Sequence, residues 1–139
     1  MSFIEKTLTL PCGVVLKNRM AKAATTERFA DLSGQPSTEL CHLYKRWSKC
    51  GPGLIVTGNV MVDEQHLEAG RNVIAKGDCT DAMMRWAQSA TVSGNQAWMQ
   101  LNHSGRQTSR FIKGARPIRG GDFGGFDRVR HRVALWGQG

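Results

Sequence analysis

Residues 51–58, Gly-Pro-Gly-Leu-Ile-Val-Thr-Gly, decide the fold class of this 139-residue chain. A short apolar run rich in β-branched residues, 54–57, lies between a Gly-Pro-Gly break and a further glycine. Such runs are typical of strands in parallel sheets, which are buried on both faces. The pattern therefore predicts a central parallel strand that ends at Gly58.

Two amphipathic helices flank this strand in the sequence. The apolar stripe of the first consists of Leu40, Leu43, Tyr44 and Trp47, after a capping Ser37 or Thr38. The stripe of the second consists of Met83, Trp86, Ala87 and Ala90, after Asp78 or Thr80. A hairpin pattern at 7–16 and strand-prone residues at 20–26 and 96–101 complete the order hairpin, strand, helix, strand, helix, strand. This alternation predicts an α/β fold of βαβ units with right-handed crossovers.

Ligands of parallel sheets gather beyond the carboxyl ends of the strands. By that rule the candidate site residues are Ala24, Thr25, Thr26, Thr57, Gly58, Asn59, Gln100, Asn102 and His103. Gln100 differs from the others in kind, because a strand-end amide offers an acceptor and two donors to a flat heterocycle with a mixed edge. Gly58 beside it would give a ligand close access to the backbone.

The charge of the chain is concentrated in its tail. Residues 1–103 hold eleven Lys/Arg against nine Asp/Glu, whereas residues 104–139 hold eight against two.

No apolar run approaches the roughly 20 residues that span a bilayer, and the opening MSFIEKTLTL lacks a secretory signal pattern. The four cysteines form no C-x-x-C pair, so we expect a cytoplasmic chain with reduced thiols and no membrane contact.

The sequence predicts no metal site and no catalytic side chain. The histidines and cysteines show no paired ligand spacing; these are His42, His66, His103 and His131, with Cys12, Cys41, Cys50 and Cys79. The residues from 59 to 78 are interpreted as a long connection with a small extra strand at 60–62. Its polar residues, Asp63, Glu64, His66 and Glu68, are interpreted as a solvated loop.

Three blocks of the sequence together resemble one protein family. They are LKNRMAKAATTE at 16–27, GPGLIVTGNVMV at 51–62 and WMQLNHSGRQT at 98–108. In this order and spacing they look like the amino-terminal third of the Old Yellow Enzyme family, the NADH:flavin oxidoreductases. The resemblance implies a TIM (β/α)8 barrel that binds FMN noncovalently. It also implies hydride transfer from NADH or NADPH through FMN to an activated alkene or similar small-molecule acceptor.

The resemblance also assigns roles to particular residues. Ala23, Ala24 and Thr25 would line the flavin, Gly58 would lie beside it, and Gln100 would bind its pyrimidine edge. His103, Gly105 and Arg106 match the family's Q-L-x-H-x-G-R pattern, and we interpret them as loop architecture. No catalytic residue is assigned to this segment.

A full barrel needs roughly 250 residues. We therefore expect residues 1–112 to form the amino-terminal part of an FMN-binding barrel, an incomplete barrel with three β/α units after a hairpin, and to be inactive alone. Residues 113–139, rich in Gly and Arg, are expected to be a disordered tail or the product of a frameshift or premature stop.

Two alternative functions of the chain stay open. One is a basic nucleic-acid-binding module that uses the arginine-rich tail, and the other is a small α/β interaction protein.

Overall fold

The computed structural model describes residues 2–75, 80–105 and 111–112, together with the backbone of residues 132–135. A short 3-10 helix, Phe3–Glu5, precedes the strands β1 (Leu8–Thr9), β2 (Val15–Leu16) and β3 (Ala21–Lys22). Next come α1 (Thr38–Lys49), β4 (Leu54–Met61), β5 (Val73–Ile74), α2 (Asp81–Thr91), β6 (Gln96–Asn102) and β7 (Arg132–Leu135). Strands β1 and β2 pair antiparallel, which confirms the predicted hairpin.

The main sheet is parallel around β4, as the apolar run at 54–57 predicts. Strand β3 pairs with the start of β4, with Lys22 opposite Ile55. Strand β6 pairs along the whole of β4, from Leu54 opposite Gln96 to Met61 opposite Asn102. The fold is therefore a partial α/β structure with a parallel sheet.

Strand β4 does not end at Gly58, so that prediction was wrong. The register with β6 shifts between Val56 and Asn59, and this irregularity takes up Thr57 and Gly58 without ending the pairing. The strand continues to Met61, and the predicted extra strand at 60–62 is its second half. Strand β5, which was not predicted, pairs parallel with this half.

Four residues of the tail add a strand to the main sheet. The backbone of Arg132–Leu135 forms β7, which pairs antiparallel with β6. The disorder or frameshift expected of residues 113–139 stays a prediction. The rest of the predicted tail, residues 113–131 and 136–139, lies outside the described residues, as does Arg106.

Helix α1 packs against α2 over the sheet, and both start where their capping residues predict. The Ser37 hydroxyl accepts the N–H of Leu40, and the Thr80 hydroxyl accepts the N–H of Met83. The buried core includes Leu40, Tyr44, Ile55, Val60, Trp86 and Ala97. The Tyr44 and Trp86 rings meet edge to face at 5.1 Å. Among the described residues no helix is long and apolar enough to cross a membrane.

A buried polar pair joins the end of α1 to the start of β6. The Ser48 hydroxyl donates to Asn95 Oδ1 at 2.5 Å and accepts the N–H of Ser93 at 3.0 Å. The Asn95 amide donates in turn to the carbonyl of Ala90 at 2.8 Å. Ser48 and Asn95 are 0% and 2% exposed, so neither can exchange these bonds for water.

We expect Ser48→Ala to lower the free energy of unfolding by about 1–3 kcal/mol, because it leaves the buried Asn95 oxygen without its donor and the Ser93 N–H without its acceptor. Chemical denaturation followed by tryptophan fluorescence measures the change. The matched control is Gln88→Ala on the exposed surface of α2, which we expect to change stability by less than about 0.5 kcal/mol. Equal effects of the two substitutions would contradict this role for Ser48.

Candidate functional site

The carboxyl ends of β3, β4 and β6 lie at one edge of the sheet, because all three strands run parallel. Asn59 of β4 is opposite Gln100 of β6 in the ladder. The segment after β3 reaches the same edge, where the carbonyl of Thr25 lies against Gly58. The structure therefore brings the predicted segments, 23–25, 58 and 100, to one place.

Gly58 is buried because the segment after β3 covers it. A Cβ built on Gly58 would lie 2.2 Å from the carbonyl oxygen of Thr25 and 2.2 Å from Glu27 Oε2. Both distances are far shorter than any van der Waals contact, so no larger residue fits without moving the backbone. The absence of a side chain at Gly58 thus lets the segment after β3 approach the backbone of β4 closely. A contact between Gly58 and a flavin remains a prediction.

The position of Gln100 is fixed through its backbone. The N–H of Gln100 donates to the hydroxyl of Thr57 at 3.0 Å, and that hydroxyl donates to the carbonyl of Gly58 at 2.9 Å. Thr57 is fully buried at the irregularity between β4 and β6. The Thr57 hydroxyl takes the place of the backbone hydrogen bond between β4 and β6 that the shift in register removes. It thereby holds the part of β6 that carries the half-buried Gln100 side chain.

The segment after β3 presents small side chains to the surface. Ala23 and Thr25 are exposed and Ala24 is half-buried. The Thr25 hydroxyl accepts a hydrogen bond from Lys22 Nζ at 3.1 Å and lies 3.4 Å from Glu27 Oε1. A flat ligand could approach this backbone closely, since the side chains of Ala23, Ala24 and Thr25 are small.

A network of Lys22, Glu27 and Tyr44 lies beneath this segment, and it was not predicted. The Tyr44 hydroxyl donates to Glu27 Oε1 at 2.8 Å and accepts the N–H of Gly58 at 2.9 Å. Lys22 Nζ is 3.4 Å from Glu27 Oε1 and 4.2 Å from the centre of the Trp47 ring. The sequence shows Tyr44 as part of an apolar stripe, but its hydroxyl connects α1 to the segment after β3 and to the middle of β4.

Burial sets the protonation behaviour of this network. Burial, followed by the charge of the Glu27 carboxylate, raises the pKa of Tyr44. Burial also lowers the pKa of Lys22, while Glu27 acts in the opposite direction by its charge and hydrogen bond. The tyrosine therefore stays neutral and continues to donate to Glu27 throughout the ordinary pH range.

A second polar group lies beside the first, and it involves residues of the long connection. The Asn59 amide donates to Glu68 Oε2 at 2.6 Å, and the Thr26 hydroxyl donates to the same oxygen at 3.1 Å. Glu68 thus joins the segment after β3 to the second half of β4. The prediction of a merely solvated loop was wrong for this residue.

A third group consists of Asp63 and His66, which follow β4, and His103, which follows β6. Asp63 Oδ2 is in direct contact with His66 Nδ1 and lies 3.7 Å from His103 Nε2. The two imidazole rings stack with their centroids 4.9 Å apart. Sequence spacing could not add His103 to Asp63 and His66, because His103 is distant in the chain and only the pairing of β4 with β6 brings it close.

The comparisons with known proteins agree with this fold. No protein-family model matches the chain. It is 34% identical over 105 residues to an NADH-dependent flavin oxidoreductase of Hypocrea jecorina, covering 72% of this chain and 26% of that protein. An NADH-dependent flavin oxidoreductase of Talaromyces variabilis is 34% identical over 109 residues, covering 75% of this chain and 26% of the relative. The chain thus spans about a quarter of the length of the curated relatives it matches.

Solved structures show the same class of fold. The old yellow enzyme from Trypanosoma cruzi superposes with a TM-score of 0.64 at 22% identity, over 76% of this chain and 28% of that one. The amino-terminal three quarters of this chain therefore correspond to a portion of the NADH-dependent flavin oxidoreductases and have the fold of the Old Yellow Enzymes over that portion. Both results agree with the resemblance of the three sequence blocks to this family. The nucleic-acid alternative depends on tail residues outside the described part of the chain.

Tyr44 allows a direct test of the network, because it is the only tyrosine in the sequence. An unfolded tyrosine ionises near pH ~10, whereas the folded Tyr44, with its raised pKa, stays neutral above that pH. Its contribution to stability is therefore complete below pH ~10 and decreases as the pH rises further. We expect tyrosinate absorbance to appear only together with alkaline unfolding.

The control is Tyr44→Phe, which has no tyrosinate signal and lacks this part of the alkaline loss of stability. It should also be less stable at neutral pH by about 1–3 kcal/mol, since Glu27 and the Gly58 N–H lose their partner. Ionisation of Tyr44 near pH ~10 in a chain that is still folded by circular dichroism would contradict the burial of its hydroxyl.

Proposed function

We propose that residues 1–112 are the amino-terminal part of an FMN-dependent NAD(P)H oxidoreductase of the ene-reductase type. The flavin ring would lie over the joined ends of β3, β4 and β6. The observation that carries this proposal is the convergence of the segments 23–25, 58 and 100 at one edge of a parallel sheet. Relatives named as NADH-dependent flavin oxidoreductases support the class of cofactor and reductant.

The residues present at this edge fit a flavin. Exposed Ala23 and Thr25 leave room for a flat ring against the backbone. The Gln100 amide can match the alternating donors and acceptors of a pyrimidine edge, which a carboxylate or an ammonium group cannot do. Bound there, the flavin would supply hydride transfer from NADH or NADPH to an activated alkene or a similar small molecule.

The described residues of this chain would bind and orient the flavin. Thr57 holds the backbone of Gln100, and Gly58 lets the segment after β3 pack close to it. The Tyr44–Glu27 hydrogen bond then fixes this segment from below. With these three strand ends alone, we expect weak FMN binding and no turnover, because phosphate contacts and substrate anchors would come from other parts of a barrel.

The test is an FMN titration of the chain, followed by backbone amide signals in NMR. We expect the largest shifts at Ala23, Ala24, Thr25 and Gln100, and we expect Gln100→Ala to weaken binding about 5- to 20-fold through lost hydrogen bonds. The matched control is again Gln88→Ala, an exposed amide on α2. Shifts confined to other residues, or none at millimolar FMN, would contradict the proposed site.

A further inference from the structure

The group formed by Asp63, His66 and His103 has the composition of a metal site. Two imidazoles and a carboxylate are ligands that zinc and similar divalent transition metals prefer. One ligand atom from each of the three side chains lies within 4.8 Å of the others. Ligand atoms around a tetrahedral ion stand roughly 3.3–3.6 Å apart for bonds of about 2.0–2.2 Å, so small side-chain movements bring all three onto one ion.

The backbone around the group already fixes two of its members. The N–H of Gln65 donates to Asp63 Oδ1 at 2.8 Å, which turns Oδ2 toward both histidines. The Ser104 hydroxyl donates to the carbonyl of His66 at 2.7 Å and so joins the loop after β4 to the loop after β6. Such outer contacts orient the ligands of natural metal sites and reduce the cost of assembling them.

Solvent can reach the group. The side chains of His66, His103 and Asp63 are 16%, 32% and 34% exposed, so an ion can enter without opening the core. Three protein ligands also leave a fourth position of a tetrahedral ion for water.

One contact changes when an ion binds. The N–H of Gly105 donates to His103 Nδ1 at 3.0 Å, so the neutral ring carries its proton on Nε2. An ion that takes the Nε2 lone pair displaces this proton, and a ring that keeps it must carry it on Nδ1. The Gly105 N–H must then turn away. Gly105 would therefore move on ion binding.

We propose that Asp63, His66 and His103 bind one divalent transition-metal ion of the zinc type, which ties the loop after β4 to the loop after β6. The ion would replace the direct contact between Asp63 and His66 by bonds from both to the metal. Because ligand charge and geometry alone define the site, it does not depend on the proposed binding of a flavin.

The test is a titration of the chain with Co²⁺ and Zn²⁺, followed by calorimetry and by the visible spectrum of Co²⁺. The background carries Cys12→Ser, Cys50→Ser and Cys79→Ser, which removes thiols other than the buried Cys41. We expect one equivalent of ion to bind, with a Co²⁺ spectrum free of thiolate bands. His66→Gln and His103→Gln should each weaken binding at least about tenfold. The matched control, His42→Gln on the exposed face of α1, should not change it.

Paramagnetic broadening by Co²⁺ decides the location even where a variant unfolds. In the cysteine-replaced chain with all histidines present, we expect the broadened amide signals to centre on residues 63–66 and 103–105, with Gly105 among the most affected. The proposal is overturned if broadening centres elsewhere, if the two histidine variants bind as tightly as the background, or if neither ion binds at millimolar concentration.

Discussion

The arrangement of the site depends on the contact between Gly58 and the segment that follows β3. The carbonyl of Thr25 and the carboxylate of Glu27 occupy the space that a side chain at position 58 would fill. This contact lets Tyr44 bond both Glu27 and the Gly58 N–H, so that one hydroxyl on α1 holds the segment after β3 against β4. Loss of the contact would separate β3 from β4 at the edge where a ligand is expected.

The same edge gathers polar groups of different chemistry. Thr57 links Gly58 to the backbone of Gln100, and Glu68 links Asn59 to Thr26. Asp63 and the two histidines join the loops after β4 and β6. The parallel pairing of β3, β4 and β6 brings all these groups together, since corresponding loops of parallel strands emerge on the same side of the sheet.

The sequence predicted the elements that depend on local patterns. Both helices follow their apolar stripes and caps, and residues 54–57 lie at the centre of the parallel sheet. The continuation of β4 beyond Gly58 was not predictable, because the register shift that permits it involves pairing with β6. The two-residue strand β5 and the group of Asp63, His66 and His103 were missed for the same reason. Their partners are distant in sequence, and spacing alone tests only near neighbours.

The most direct test of the central contact compares Gly58→Ala with Gly70→Ala. Gly70 is exposed, and a Cβ there would meet nothing within 4 Å. We expect Gly58→Ala to lower the free energy of unfolding by about 1–3 kcal/mol and to shift the amide signals of Thr25 and Glu27. Gly70→Ala should be neutral or stabilising by less than about 1 kcal/mol. A Gly58→Ala chain as stable as Gly70→Ala, with unchanged signals at Thr25 and Glu27, would contradict the account.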